Sequence, residues 1–129
     1  MLINFVVQIR NMNALGCKIK SILDPFKNEK PSLLIRVEYH NKEIHEGFFA
    51  GFRDEFELFD KGCFRMVIRN RAKEFEKDLK ESGKANPIHS IIIDLFATKS
   101  LTFYKDGTVV KELIIDAESL AQDLSGSGA

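Results

Sequence analysis

The sequence has 129 residues, 44% of them hydrophobic and 29% charged, with only eight glycines and three prolines. This length suits one domain that buries roughly two-thirds of its unfolded surface, and the composition excludes disordered and fibrous proteins. Because 19 basic residues balance 19 acidic ones, no overall positive field is available to hold a nucleic acid. We expect a single domain over residues 1–124, followed by a small polar tail or expression remnant over 125–129.

Two features of the sequence concern its compartment. Cys17 and Cys63 are too few to form the dense disulfide framework of a small secreted scaffold. The apolar N-terminus has no preceding basic region, Asn4 and Gln8 interrupt it, and no apolar run approaches the roughly 20 residues of a membrane span. These features predict a cytoplasmic protein without a membrane segment.

In chain order, the first elements are a strand and a helix. Alternating apolar residues predict a strand over 3–9. The spacing of Leu15, Ile19, Ile22 and Leu23 predicts a helix over 13–23 with Asn13 as a possible N-cap, although an extended pattern also fits part of it. The pair 24–25, Asp-Pro, ends this element, because a residue before proline avoids the α region.

A series of short strands follows. Runs of aromatic and β-branched residues at 33–39, 44–52, 56–59 and 64–68 predict a bent antiparallel meander. Gly47 and Gly51 mark places where the second of these strands curves sharply, as small barrels require.

The second half of the chain mixes helices and strands. Ala72, Phe75 and Leu79 form one stripe, which predicts a helix over 70–82 that ends at Gly83. A strand is expected over 88–96, an Asp-Gly hairpin at 106–107 between 101–104 and 108–115, and a short helix over 117–124. The fold class is therefore α+β, a strongly bent antiparallel sheet or a small β-barrel, with an inserted helix at about 70–82 and a short C-terminal helix.

The sequence lacks the common catalytic and ligand-binding motifs. It has no glycine-rich phosphate loop, and its three histidines and two cysteines lack the spacing of a zinc site. We expect no cofactor, no metal and no catalytic residue. One enzymatic alternative stays open, a small thiol-dependent enzyme in which Lys61 and Arg65 lower the pKa of Cys63. The acidic residues between 54 and 60 are expected to form a solvated rim.

Several basic residues provide a second functional alternative, a nucleic-acid-binding surface. A basic stripe crosses a strand end into a helix start, where phosphate contacts are feasible. The residues proposed for it are Arg53, Arg65, Arg69, Arg71 and Lys73.

Residues 34–59 read LIRVEYHNKEIHEGFFAGFRDEFELF. This stretch resembles the first motif of the Sm and LSm family, including its ataxin-type branch. Residues 35–39 match the first strand, Asn41 begins the turn, Gly47 stands at the family's glycine, and Phe56 and Leu58 begin the third strand. The resemblance implies a strongly bent, five-stranded Sm-like or SH3-like barrel, with the helix at 70–82 inserted between the third and fourth strands.

Departures from the family pattern bear on function. Lys42 replaces the turn glycine, Arg53 stands at the aspartate position, and Glu57 stands at the asparagine that helps form the RNA-base pocket in RNA-binding members. A barrel without that pocket implies a non-enzymatic binding module that associates with a protein partner or with further copies of itself. In this family association proceeds by edge-strand pairing.

The edge material is expected in 64–68 and 88–96, with the interface residues Phe64, Val67, Ile91 and Ile93. A weaker resemblance covers residues 101–124, which look like the closing hairpin and helix of a thioredoxin-like fold. The redox CxxC motif of that fold is absent.

Overall fold

A computed structural model describes residues 6–9, 12–26, 28 and 33–115. The predicted helix at 117–124, the tail and the beginning of the first predicted strand lie outside these residues. Single turns of 3-10 helix occupy Asp24–Phe26, Arg69–Arg71 and Pro87–His89. The remaining elements are β1 (Val6–Ile9), α1 (Met12–Leu23), β2 (Leu34–Tyr39), β3 (Ile44–Phe48), α2 (Glu55–Asp60), β4 (Cys63–Ile68), α3 (Ala72–Ser82), β5 (Ser90–Asp94), β6 (Thr98–Lys105) and β7 (Thr108–Ile115).

The strands form one sheet in the order β1-β7-β6-β2-β3-β4-β5. β1 pairs in parallel with β7, and every other neighbouring pair is antiparallel. The prediction of an α+β fold with a strongly bent antiparallel sheet is confirmed, and the sheet is open rather than closed into a barrel.

The connection between β5 and β6 shows how strongly the sheet bends. These strands lie four positions apart in the sheet, yet residues 95–97 alone join them. A flat sheet would separate them by about 19 Å, whereas the chain from Asp94 to Thr98 can span at most about 14 Å. The backbone N–H of Asp94 on β5 also donates a hydrogen bond to the hydroxyl of Tyr39 on β2, at 3.2 Å. The sheet therefore curls so that β2 and β5 approach each other.

Gly47 lies where β3 meets β4. These two strands share only the register pairs Gly47↔Ile68 and Phe48↔Val67. A Cβ atom on Gly47 would overlap the carbonyl oxygen of Val67 and lie 2.8 Å from Cγ of Met66. Glycine is required here because the β4 main chain presses against it, not because the backbone is left-handed. Gly51, in contrast, has φ +66° and lies in the loop after β3.

The core lies between α1 and one face of the sheet. Leu15 and Ile19 are completely buried, and Ile22 and Leu23 are nearly so, which confirms the predicted helical spacing. The helix begins at Met12, however, so Asn13 is not its N-cap. The sheet side of the core consists of Ile35, Val37, Phe64, Met66, Ile93, Leu101, Phe103, Leu113 and Ile115.

The strand predicted over 56–59 is wrong, because these residues belong to α2. The sequence from Glu55 to Phe59 also fits one turn of helix. Residues four apart lie on the same face of a helix, and this face carries Glu55 and Phe59 toward the sheet. Phe59 stacks on Phe64 with the ring centroids 6.4 Å apart. The resemblance implied that the strand after β3 begins at Phe56. In the structure this strand begins at Cys63.

Two glycine predictions in the second half of the chain are confirmed. Gly83 has φ +73° and donates its N–H to the carbonyl of Leu79 at 2.8 Å, ending α3. Asp106 and Gly107 both have positive φ, 51° and 80°, as a two-residue type I′ hairpin requires. The β2–β3 turn differs, because Lys42 takes the left-handed conformation there with φ 75°.

Candidate functional site

The five basic residues proposed for nucleic-acid binding do not act as one free positive surface. Arg53 and Lys73 are exposed. Arg69 pairs with Glu46 at 3.1 Å. Arg65 forms an ion pair with Asp54, and the exposed Arg71 donates to His89, so three of the five side chains already have hydrogen-bond partners.

Arg65 joins β4, β5 and the loop before α2. Its Nη2 donates to Oδ2 of Asp54 at 2.9 Å and its Nη1 donates to the hydroxyl of Ser90 at 3.1 Å. The guanidinium also lies 5.5 Å from the ring centroid of Phe52. Its hydrogen bond and positive charge lower the pKa of the Asp54 carboxyl. This arginine holds elements together.

Glu55, in the same cluster, is buried and only 6% exposed, contrary to the predicted solvated rim. Its Oε1 accepts the backbone N–H of Arg65 at 3.2 Å. Neither Oε2 of Glu55 nor Oδ1 of Asp54 has a hydrogen-bond partner among the described residues. Burial raises the pKa of Glu55 to about 7, the Asp54 charge adds to the increase, and the hydrogen bond from Arg65 opposes it.

The strand register explains why a glutamate side chain occupies this position. The N–H of Leu95 donates to the carbonyl of Gly62, so the directly opposed pairs Phe64↔Ile93 and Met66↔Ile91 also exchange hydrogen bonds. The alternating residue Arg65 therefore points its N–H away from β5. β3 pairs with β4 only at Val67 and Ile68 and has diverged from it at Arg65. The carboxyl of Glu55 therefore accepts the Arg65 N–H in place of a carbonyl from a neighbouring strand.

His89, which is buried, holds together a second polar cluster. Nε and Nη2 of Arg71 lie 3.3 and 3.0 Å from Nδ1 of His89, and Nε2 of His89 lies 2.7 Å from Oδ2 of Asp78. Because arginine only donates, Nδ1 accepts and Nε2 carries the proton that it donates to Asp78. These hydrogen bonds, with one from Asn86 to the same oxygen, lower the pKa of Asp78. Both ring nitrogens are occupied, so this histidine ties α3 to the turn before β5.

β5 is one edge of the sheet. By the same alternation, the main-chain groups of Ile92 point away from β4, to the side where no strand among the described residues pairs with β5. The N–H of Ser90 donates to the carbonyl of Pro87, and the N–H of Asp94 is taken by Tyr39, so the open part of the edge centres on Ile92. The side chain of Ile92 is 50% exposed, and that of Ile88, just before the strand, is 69% exposed.

The predicted interface residues lie mostly in the core. Phe64 and Ile93 are completely buried, Val67 is 2% exposed, and Ile91 is half-buried. β4 runs between β3 and β5, so the expectation that 64–68 forms an edge is wrong, while 88–96 does contain the edge strand. The exposed residues Ile88 and Ile92 were not among the predicted interface residues. The run Ile91-Ile92-Ile93 could have indicated Ile92, because alternation along a strand turns the middle residue to the opposite face.

A cleft opens where β3 leaves β4, with a volume of about 550 Å³. Its apolar wall consists of Ile44, Ile68 and Ile91, and the Arg69–Glu46 ion pair lies beside it. Ile44 is 43% exposed. Ile91 thus belongs both to the edge strand and to this cleft, and its side chain lies on the opposite face of β5 from the exposed Ile92.

The structure gives no support to the thiol-dependent alternative. Burial raises the pKa of Cys63, and Asp94 adds to the increase more than Lys61 opposes it, so the predicted lowering is wrong. Within the described ranges, no three histidine, cysteine or acidic side chains come together as a metal site. No helix in those ranges is long and apolar enough to cross a membrane.

Comparison of the chain with protein-family models, with curated proteins and with solved structures finds no match. The function must therefore be inferred from the geometry of the sheet edge and of the polar clusters.

Proposed function

We propose that this chain is a non-enzymatic, Sm-like binding module that associates with protein by strand addition at β5, and that its simplest partner is a second copy of itself. The observation that carries the proposal is the open main chain of Ile92 on an edge strand, with the exposed side chains of Ile88 and Ile92 beside it. An exposed apolar edge strand is a template for pairing with another chain.

The residues of β5 suit antiparallel pairing about a two-fold axis. Placing the axis at Ile92 sets this residue against its copy, where the two main chains exchange two hydrogen bonds. Ser90 then lies opposite Asp94 of the partner copy, so no like charges face each other across the pair. The two isoleucine side chains meet on the same face of the extended sheet.

The ends of the edge limit the strength of this association. The main-chain N–H groups of Ser90 and Asp94 already have acceptors in Pro87 and Tyr39. Pairing therefore adds few hydrogen bonds and buries a small area, which is typical of weak, concentration-dependent complexes. The strong curvature of the sheet supports the Sm-like part of the proposal, because such modules require a small, tightly bent sheet.

Sedimentation velocity over a wide concentration range tests the proposal. We expect the wild-type sedimentation coefficient to increase with concentration and the Ile92→Lys variant to remain a monomer, because a charge on an edge strand opposes pairing. Val109→Lys is the matched control, since Val109 is also an exposed β-branched residue, 38% exposed, and lies on β7, which is not the strand proposed to pair. This control should associate like the wild type. A wild-type monomer at every concentration, or association that survives Ile92→Lys, would contradict the proposal.

A further inference from the structure

The segment between Gly51 and Gly62 carries α2 across one edge of β4. Both glycines are left-handed, with φ +66° and +78°, so each end of the segment has a backbone conformation that other residues rarely adopt. A Cβ atom on Gly62 would overlap the ring of Phe96, which fixes glycine at that end. Within the segment, Phe52 contacts Phe75 with ring centroids 5.8 Å apart, and Phe59 stacks on Phe64.

The contact that joins this segment to the β4 main chain is the carboxyl group of Glu55. It accepts the N–H of Arg65, a main-chain donor that points away from β5. The opposite oxygen, Oε2, is buried and has no hydrogen-bond partner in the described part of the chain, and the same is true of Oδ1 of the neighbouring Asp54. An ionised carboxylate there lacks the hydrogen bonds that would compensate for the loss of water, whereas a neutral carboxyl has a much smaller desolvation cost.

We infer that residues 51–62 form a hinged flap whose latch is the protonated Glu55 carboxyl, and that ionisation of this group releases the flap and bares the β4 edge at Arg65. Opening exposes an N–H that can pair with an extended chain, on the side of β4 away from β5. The inference goes beyond the proposed function and does not rest on it, because β5 is not part of the flap.

The charges around Glu55 set the pH range of the switch. Burial is the largest influence on the pKa of Glu55 and disfavours ionisation. Asp54, the residue before α2, also disfavours it, whereas Arg65 on β4 favours it. The pKa of Glu55 is about 7 in the closed flap and 4.5, the ordinary glutamate value, once the side chain reaches water. The closed state is therefore most favoured below pH 4.5, loses stability as the pH increases to about 7, and changes little above that.

Hydrogen exchange at the Arg65 amide measures the opening. The protection factor, which removes the ordinary pH dependence of exchange, should fall about 70-fold between pH 5 and pH 8 in the wild type. In Glu55→Gln the protection factor of Arg65 should stay constant, because the side-chain amide of glutamine cannot ionise. Glu57→Gln, at an exposed position on the same helix, is the matched control and should behave like the wild type.

The amide of Ile35 in β2 separates flap opening from unfolding of the whole domain. It faces Gly47 in the β2–β3 ladder and lies outside the flap, so it exchanges only when the whole domain unfolds, and at each pH its protection factor should be higher than that of Arg65. Equal protection factors at both amides, a constant Arg65 protection factor in the wild type, or an unchanged pH dependence in Glu55→Gln would each overturn the inference. Should Glu55→Gln fail to fold, the comparison of Arg65 with Ile35 in the wild type still decides the outcome. Sedimentation of Ile92→Lys tests the proposed function separately.

Discussion

Replacing Gly47 by alanine tests the contact that lets the sheet bend. The added methyl group would overlap the Val67 carbonyl oxygen and press on Cγ of Met66, 2.8 Å away. Main chain cannot yield as a flexible side chain does, so β4 must move away from β3 by about 1 Å or more to restore an ordinary carbon–oxygen separation. The two register pairs between these strands would then be lost.

The magnitude follows from those contacts. The pair Phe48↔Val67 exchanges two main-chain hydrogen bonds, each contributing about 1 kcal/mol. Exposing part of Val67, now 2% exposed, adds about 1 kcal/mol. Gly47→Ala should therefore lower the free energy of unfolding by about 3 kcal/mol, with a decrease in Tm of roughly 10 °C.

Urea denaturation of Gly47→Ala, compared with Gly16→Ala, measures this effect. A Cβ atom on Gly16 in α1 would lie 3.7 Å from the ring of Phe59, an ordinary contact. Alanine there should raise the free energy of unfolding by about 0.5–1 kcal/mol, because it favours the helix over the unfolded chain. The reasoning would be refuted if Gly47→Ala were as stable as the wild type, or if the two variants changed stability in the same direction.

Further predictions concern turns and buried polar groups. Lys42→Gly should raise the free energy of unfolding by about 0.5–1 kcal/mol, because glycine relieves the left-handed strain at φ 75°, and an unchanged or lower urea midpoint would speak against this. Gly83→Ala should lower it by about 1 kcal/mol in the same assay, since its surroundings are open and only φ 73° resists the substitution; an alanine variant equal to the wild type would show that the conformation is not costly. His89→Ala should lower Tm and lower the free energy of unfolding by about 2 kcal/mol, because Arg71 would lose its buried acceptor; an unaltered melting curve would mean that the cluster contributes nothing. Because the folded-state pKa of Glu55 is raised, the free energy of unfolding of the wild type should fall by about 2.5 kcal/mol between pH 5 and pH 8. Glu55→Gln should not show this decrease. Parallel pH profiles for the two proteins would exclude this cause.

Local sequence patterns determined α1, α3, the β6–β7 hairpin and most strands. The helical spacing of Leu15 and Ile19, the glycine after α3 and the Asp106-Gly107 turn each act over a few neighbouring residues. Their physical preferences persist in any compatible fold, so they could be predicted from the sequence.

Tertiary structure decided α2 and the candidate site. Residues 56–59 satisfy both a strand and a helical turn, and only the packing of Phe59 on Phe64 and the capture of the Arg65 N–H by Glu55 select the helix. Burial of Glu55 and Phe64, the pairing of Arg65 with Asp54 and the exposure of Ile92 depend on which strands become neighbours. These contacts join residues far apart in the chain, and no local preference specifies a partner that only the completed sheet brings near.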